Sequence, residues 1–352
     1  KQKTAYEIMP SLVGSEMCIR DRYMIITKTP YRISFFGGGS DYPEWYMRNG
    51  GAILSTTIDK YIYVTVKRHS TLFNENYRLS YSQTEHVNSV DEIENDIARE
   101  CLRLVDVEPP LFIATASDLP VSSGLGSSSS FAVGLLYALH TLRGEDVSAG
   151  QLAEEACHVE LDVLGHPIGK QDQYAAAFGG LNYLSFQKDD RVQIDSVWLP
   201  GVGADGLFQN IMLFWTGIQR DANAVLREQS DNIFRTSNKL IEMRDMAGHC
   251  RDLLLKNPEN IGQLGALLDS GWKAKRSLAS TIASSETDVL YERALEGGAV
   301  GGKIAGAGGG GFLLLVVPTD RKEAVRAALP GMLDVSIAYE PRGARLLSVV
   351  PG

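Results

Sequence analysis

Pro120, Val121, Ser122, Ser123, Gly124, Leu125, Gly126 and four consecutive serines, Ser127 to Ser130, run straight into the apolar stretch Phe131 to Leu142. Glycines let a backbone close on an anion, and the free amides and positive end of a following helix then face that anion. Serine hydroxyls can add hydrogen bonds or a ligand for a hard cation. The pattern is a candidate phosphate cradle in which Pro120, Ser123, Gly124, Leu125, Gly126, Ser127, Ser128 and Ser129 take part. It is not a Walker loop, because no lysine separates Gly126 from Ser127. In isolation, an ordinary serine-capped helix after a loop would read the same way.

A second stretch, Ala156 to Gly180, places Glu160 twelve residues before Asp172, with Gly165, Pro167 and Gly169 between them. Carboxylate oxygens could hold magnesium and a reacting hydroxyl, the two needs of phosphoryl transfer. A lone glutamate beside Asp162 would more often lie on a solvated helix face. Asp172, set between Gln171 and Gln173 and ahead of Tyr174 and three alanines, reads instead as a site against a buried helix. A third stretch, Gly297 to Gly311, holds nine glycines around Lys303 and leads into Phe312 to Val317. Such density signals close backbone packing or unusual dihedrals.

The elements that must position these groups follow from periodicity. Met24 to Phe36 and Ala52 to Arg68 are rich in β-branched and aromatic residues, predicting two strands of one sheet, and Leu111 to Ala116 a further strand. Val90 to Val105, Phe131 to Leu142 and Ala149 to Leu164 read as helices, the middle one buried all round. Beyond Asn210 come a strand, Ile211 to Trp215, a long helical region from Ala222 to Ala283, and a short helix and strand ending near Val350. Glycines at 201, 203 and 206 set the expected domain boundary, giving segments 24–205 and 206–352. Residues 1–23 carry scattered charges with no continuous apolar centre, so they are expected to be neither a signal peptide nor part of the fold. A remnant left by cloning or sequence assembly is the expectation for them.

A chain of 352 residues, 44% hydrophobic, can bury a substantial core, and a net charge of −9 argues against a nucleic-acid or anionic-membrane surface. No apolar run approaches the roughly 20 residues a membrane helix needs. Cys18, Cys101, Cys157 and Cys250 are widely scattered, which favours neither a zinc site nor a disulfide framework and fits a reducing cytoplasm.

Taken in order, Pro30, Arg32 and Gly37 to Asp41, then Pro120 to Ser129, then Gly302 to Gly311 resemble the GHMP kinase family, over nearly everything from Met24. The resemblance implies an α+β fold with an N-terminal α/β domain and a C-terminal ferredoxin-like domain, with ATP between them. It implies that Ser128 and Glu160 hold Mg2+ and that Asp172, with Arg32 nearby, stands beside the acceptor hydroxyl as general base or electrostatic anchor. Galactokinases of the family carry glutamate and histidine where this chain has Gly38 and Gly39. A different polyol is therefore expected, contacted by Gly38, Gly39, Ser40, Asp41, Lys170 and Gly308. The segments Arg32 to Pro43, the four-serine loop and Gly169 to Gly180 are most similar to the bacterial heptose 7-phosphate kinases of the family. That likeness implies a sugar phosphate as the second substrate besides ATP. Its dianionic phosphate calls for cations, with Arg32, Lys170, Arg220 and Lys28 as candidates, Lys170 also being placed to hold Asp172 ionised. Other sugars of the fucose, arabinose or galactose type, and a regulator without turnover, are the competing readings; the assembly is expected to be a monomer or a homodimer.

Overall fold

The computed structural model describes residues 23–70, 72–121, 123–201, 203–218, 222–279 and 281–351. Two β-strands make its spine. β1 (Tyr23–Phe36) and β2 (Gly51–Arg68) pair antiparallel from Met24 opposite Lys67 to Phe36 opposite Leu54. The short helix α1 (Pro43–Asn49) joins them, its Trp45 and Tyr46 fully buried. β3 (Tyr77–Ser80) and β4 (Thr84–Val87) form a hairpin. The expected helix Val90 to Val105 is split: a 3-10 turn at Val90–Glu92 precedes α2 (Asp96–Val105), because the side chains of Ser89 and Asn95 each cap a new start. β5 (Leu111–Ser117) pairs with the C-terminal half of β2 and runs parallel to β3.

α3 (Ser127–Arg143) is the central helix. It begins four residues earlier than the apolar pattern alone indicates, because the serine run forms its first turn. Gly126 enters it and Gly144 leaves it, both in the left-handed region, with the Gly144 amide closing on the carbonyls of His140 and Thr141. α3 lies on the face of β1 and β2, where Thr27 Oγ1 donates to the Gly134 carbonyl at 2.8 Å. α4 (Ala149–Cys157) continues into a π-helical turn, His158–Val163, then α5 (Gln171–Phe178), β6 (Leu181–Phe186) and β7 (Val192–Ser196) follow. β6 pairs with the N-terminal half of β2, completing with β7 an eight-stranded sheet.

The expected boundary region holds a short helix, α6 (Gly203–Phe208). β8 (Ile211–Trp215) then opens a second sheet. Three helices, α7 (Ala222–Asp231), α8 (Ser237–Lys256) and α9 (Ile261–Arg276), precede α10 (Ser285–Glu296), β9 (Gly301–Ile304) and β10 (Phe312–Val316). α11 (Lys322–Ala328) and β11 (Leu333–Asp334) complete the unit. The strand order β11-β8-β10-β9, wholly antiparallel, is that of a ferredoxin-like βαββαβ unit. β12 (Arg345–Pro351) then leaves this unit and pairs with β1, so segment 206–352 contributes to both sheets. The fold is α+β, with Cys101, Cys157 and Cys250 as buried free thiols. Among the described residues no helix is long and apolar enough to cross a membrane.

Gly134 sets how closely α3 approaches the sheet, since a Cβ there would stand 2.7 Å from Thr29 Oγ1. Gly134→Ala would gain roughly 1 kcal/mol of helix propensity against that crowding. Gly134→Val has more bulk and a weaker propensity, so overpacking dominates, and urea denaturation is expected to show a loss of about 1–3 kcal/mol. An unchanged midpoint and slope would mean that the contact is not tight.

Candidate functional site

The three chemistry-bearing stretches converge on one cleft of about 270 Å3, with β1, the loop before α3, the start of α5 and the glycine-rich loop after β9 around it. Arg32, on β1 and 6% exposed, is its central group. Its Nε and Nη2 donate to the two oxygens of Asp172 at 2.6 and 2.5 Å, and its Nη1 donates to the Gly124 carbonyl at 2.6 Å. Its backbone amide bonds the Leu125 carbonyl at 3.1 Å. One side chain thus joins the strand, the candidate phosphate loop and α5. Gly126 faces this pair: a Cβ there would lie 3.3 Å from both Arg32 Cγ and Asp172 Oδ2, on a backbone with φ of +79°.

The loop has the form of an anion cradle. Among the described residues no side chain caps α3, and the first intrahelical bond of its N-terminal turn is Ser130 N to Gly126 O at 2.9 Å, which leaves the amides of Ser127 to Ser129 unclaimed by the helix ladder. Ser127 and Ser128 line the cleft. Leu125, fully buried, anchors the turn, and Ser123 is buried outside the lining with no partner for its Oγ among the described residues. Pro120 is exposed and lies outside the lining residues. The glycine-rich loop backs the cradle: a Cβ on Gly306 would come within 2.4 Å of Gly124 Cα, so the two loops touch backbone to backbone.

Glu160 is fully buried rather than on the solvated face its neighbours suggest. The π-helical turn changes the angular step along the helix, so that Glu160 faces inward while Asp162 stays exposed. Its Oε2 accepts from Ser129 Oγ and Gln173 Nε2, both at 2.6 Å, and Oε1 has no full hydrogen-bond partner among the described residues. Burial pushes its pKa up, opposed by hydrogen bonding from Ser129, Ser128 and Gln173. An orphaned buried carboxylate oxygen beside the Ser128 hydroxyl fits a hard divalent cation that takes few protein ligands and keeps water and phosphate oxygens. Asp41, 1% exposed, accepts from the amides of Gly39 at 2.9 Å and Gln171 at 3.3 Å. Burial, then the charge of Asp172, raises its pKa.

Gly38, Gly39 and Asp41 line the cleft as expected, and the three other residues expected to contact the sugar, Ser40, Lys170 and Gly308, do not. Lys170 is turned away: its Nζ donates to Asp190 at 2.8 Å in a separate pocket beside Pro43, Met47 and Glu154, so it holds Asp190 and not Asp172. Consecutive positions at a helix start point in different directions, and Gln171 and Asp172 face the cleft where Lys170 does not. Ser40 is buried against Ala52, donating to its carbonyl at 3.0 Å and accepting from its amide at 3.1 Å. Gly308 packs on Ile282, a Cβ there lying 2.6 Å from the Ile282 carbonyl, while Gly306 and Ala307 face the cleft. Lys28 sits over the Tyr61 ring at 3.6 Å, away from the cleft, and Arg220 lies outside the described residues.

Sequence reasoning missed Lys275, His166, Ile168, Gln171, Leu226 and Gln229, and assigned no role to Lys303, all of which line the cleft. Lys303 carried a signal, as the single charge among nine glycines. Lys275 carried none, since Lys273 and Arg276 beside it make a solvated helix end the natural reading.

Comparison with known proteins accords with this geometry. The family profile for the GHMP kinases N terminal domain matches residues 73–180, and that for the GHMP kinases C terminal domain residues 251–334. A D-glycero-alpha-D-manno-heptose 7-phosphate kinase of Campylobacter jejuni is 28% identical over 86% of this chain and 92% of its own. A mevalonate kinase of Methanothermobacter thermautotrophicus is 30% identical over 63% of this chain and 70% of its own. Among solved structures, a D-glycero-D-manno-heptose 1-phosphate kinase of Bacteroides thetaiotaomicron superposes with a TM-score of 0.76 at 26% identity, covering 93% of this chain and 99% of that one. The likeness thus spans both sheets and the cleft between them, and the chain belongs to the GHMP kinase family of ATP-dependent phosphotransferases.

Proposed function

We propose that this kinase transfers the terminal phosphoryl group of ATP to the anomeric hydroxyl of D-glycero-D-manno-heptose 7-phosphate, with Mg2+ as helper, giving the 1,7-bisphosphate for nucleotide-heptose and surface-glycan synthesis. The observation that carries this reading is the acceptor side of the cleft, where Gly38 and Gly39 stand without side chains beside the buried carboxylate of Asp41. That arrangement leaves room for a bulky polyol and provides an acceptor for its hydroxyls. The heptose kinase likeness of the C. jejuni relative supports the same substrate class. Three buried free thiols accord with a cytoplasmic setting.

In this reading the amides and hydroxyls of Ser127 and Ser128 receive the nucleotide's phosphates at the positive end of α3. Ser128 and Glu160 would hold the Mg2+, which when bound would neutralise charge on the phosphate oxygens. Asp172 orients the acceptor hydroxyl by accepting its hydrogen bond. Both its oxygens already receive hydrogen bonds from Arg32, and a loose phosphoryl-transfer transition state asks more for positioning than for a strong base. Arg32, besides fixing Asp172, presents positive charge to the group in transfer. Residues 24–205 and 206–352 form the two domains of this reading, with β12 exchanged back to the first sheet.

Coupled ADP release with Mg2+ and ATP across mannose, galactose, fucose, sedoheptulose 7-phosphate and D-glycero-D-manno-heptose 7-phosphate tests the substrate. Turnover on the last alone is expected, and turnover confined to an unphosphorylated sugar would discard it. Glu160→Gln is expected to raise the Mg2+ concentration for half-maximal rate by about tenfold or more, having lost the charge of a buried ligand. A Mg2+ titration superimposable on that of the unaltered enzyme would remove Glu160 from the metal site.

A further inference from the structure

Two lysines face the cleft without a role in phosphoryl transfer as described above. Lys303, on β9 and 6% exposed, donates from Nζ to the carbonyls of Ser34 at 2.8 Å and Phe35 at 3.1 Å. Lys275, on α9 and 6% exposed, donates to the carbonyl of Gly306. An ammonium carries three protons, so each lysine retains donors with no acceptor among the described residues. Neither makes an ion pair with a carboxylate there, although buried charges are ordinarily paired. Burial and the charge of Arg32 lower Lys275 to about 8. Burial, Lys275 and Arg32 push Lys303 well below the usual lysine range. An anion placed against both would relieve this strain on their charged forms.

We propose that Lys275 and Lys303 together form the seat for the acceptor's own phosphate, a phosphomonoester dianion, in addition to the nucleotide cradle at the start of α3. The inference rests on the reading of the acceptor as a phosphorylated sugar. Lys275, bonded to Gly306 behind the cradle, stands at the border of the two sides, and the placement of Lys303 favours the acceptor over the nucleotide. The carbonyls that hold Lys303 belong to Ser34 and Phe35, just ahead of the Gly37 to Asp41 segment that lines the acceptor side. Lys275 feels the charges of Asp41 and Asp172, the two carboxylates that face an acceptor hydroxyl. A neutral sugar would leave two like charges buried near one another with nothing between them, whereas a dianion answers both. Of the cations that the sequence offered for this task, Lys170 is committed to Asp190, Lys28 to the Tyr61 ring and Arg32 to Asp172 and the Gly124 carbonyl, and Arg220 lies outside the described residues.

The test is titration calorimetry of inorganic phosphate into the full chain, with the nucleotide site filled by a nonhydrolysable ATP analogue and Mg2+. It is paired with steady-state kinetics on D-glycero-D-manno-heptose 7-phosphate. Lys275→Met should weaken phosphate binding about tenfold or more, the loss of charged hydrogen bonds. It should raise the KM for the heptose phosphate by a similar factor while the KM for ATP moves by less than about twofold. Lys275→Gln, which can still donate to Gly306, should show the same loss if Lys275→Met melts early, and Lys275→Arg should restore most of the binding. Phosphate binding equal in the unaltered protein and in both uncharged variants would overturn the inference, as would a rise confined to the KM for ATP. Lysine-dependent phosphate binding without turnover of the heptose phosphate would keep the seat and discard the sugar. Turnover with an unaltered KM in Lys275→Gln would keep the sugar and discard the seat.

Discussion

The hydrogen bonds of Arg32 hold the working parts of this kinase in one arrangement. Its guanidinium grips both oxygens of Asp172 and the Gly124 carbonyl, and its amide holds Leu125, so strand β1, the phosphate cradle and α5 share one buried cation. Burying such a pair is costly, and its charges are tolerated only because each is met by the other with fitted geometry. Removing either partner leaves an uncompensated buried charge, at about 3–5 kcal/mol. In the proposed mechanism the same feature serves the chemistry, since a carboxylate held at both oxygens is fixed in orientation toward an acceptor and the guanidinium is fixed beside it.

Around this pair the chain uses absence of side chains as a structural device. Gly124 and Gly306 meet backbone to backbone, which brings the loop after β9 against the cradle before α3 and joins the two sheets at the cleft. Gly126 leaves space for the Arg32–Asp172 pair, and a Cβ on Gly169 would lie 2.1 Å from Asp41 Oδ2. These contacts explain why two glycine-rich stretches nearly two hundred residues apart belong to one site. Polar groups fill what remains, and one oxygen of the buried Glu160 has no full hydrogen-bond partner among the described residues, the observation on which the proposed cation site rests.

Much of this was legible in the residues. Richness in β-branched and aromatic residues located β1 and β2, the apolar run located α3, and Ile211 to Trp215 has its expected bounds. Asp172 could be picked out because glycines and three alanines flank it, whereas the family resemblance singles out Arg32, Ser128 and Glu160, Glu160 by itself reading as a solvated helix position. What stayed hidden depends on long-range geometry. The π-helical turn that brings Glu160 inward breaks a helical period read as continuous, and the return of β12 to β1 has no local signature. Lys170 adjoins Asp172 by two positions yet faces a different pocket, whereas Lys275 looks solvated by its neighbours and is buried by tertiary packing. Sequence distance is a poor guide to which way a charged side chain points.

The central claim is that Arg32 and Asp172 act as one unit. A double-mutant cycle on kcat/KM tests it most directly, with Arg32→Lys, Asp172→Asn and the two combined, each checked for an intact melt. Each single change is expected to cost roughly a hundredfold or more, since each disrupts the positioned pair. The combined change should cost little beyond the worse of the two, because the second substitution removes a partner already lost. Losses that simply multiply would show two independent groups and contradict the account.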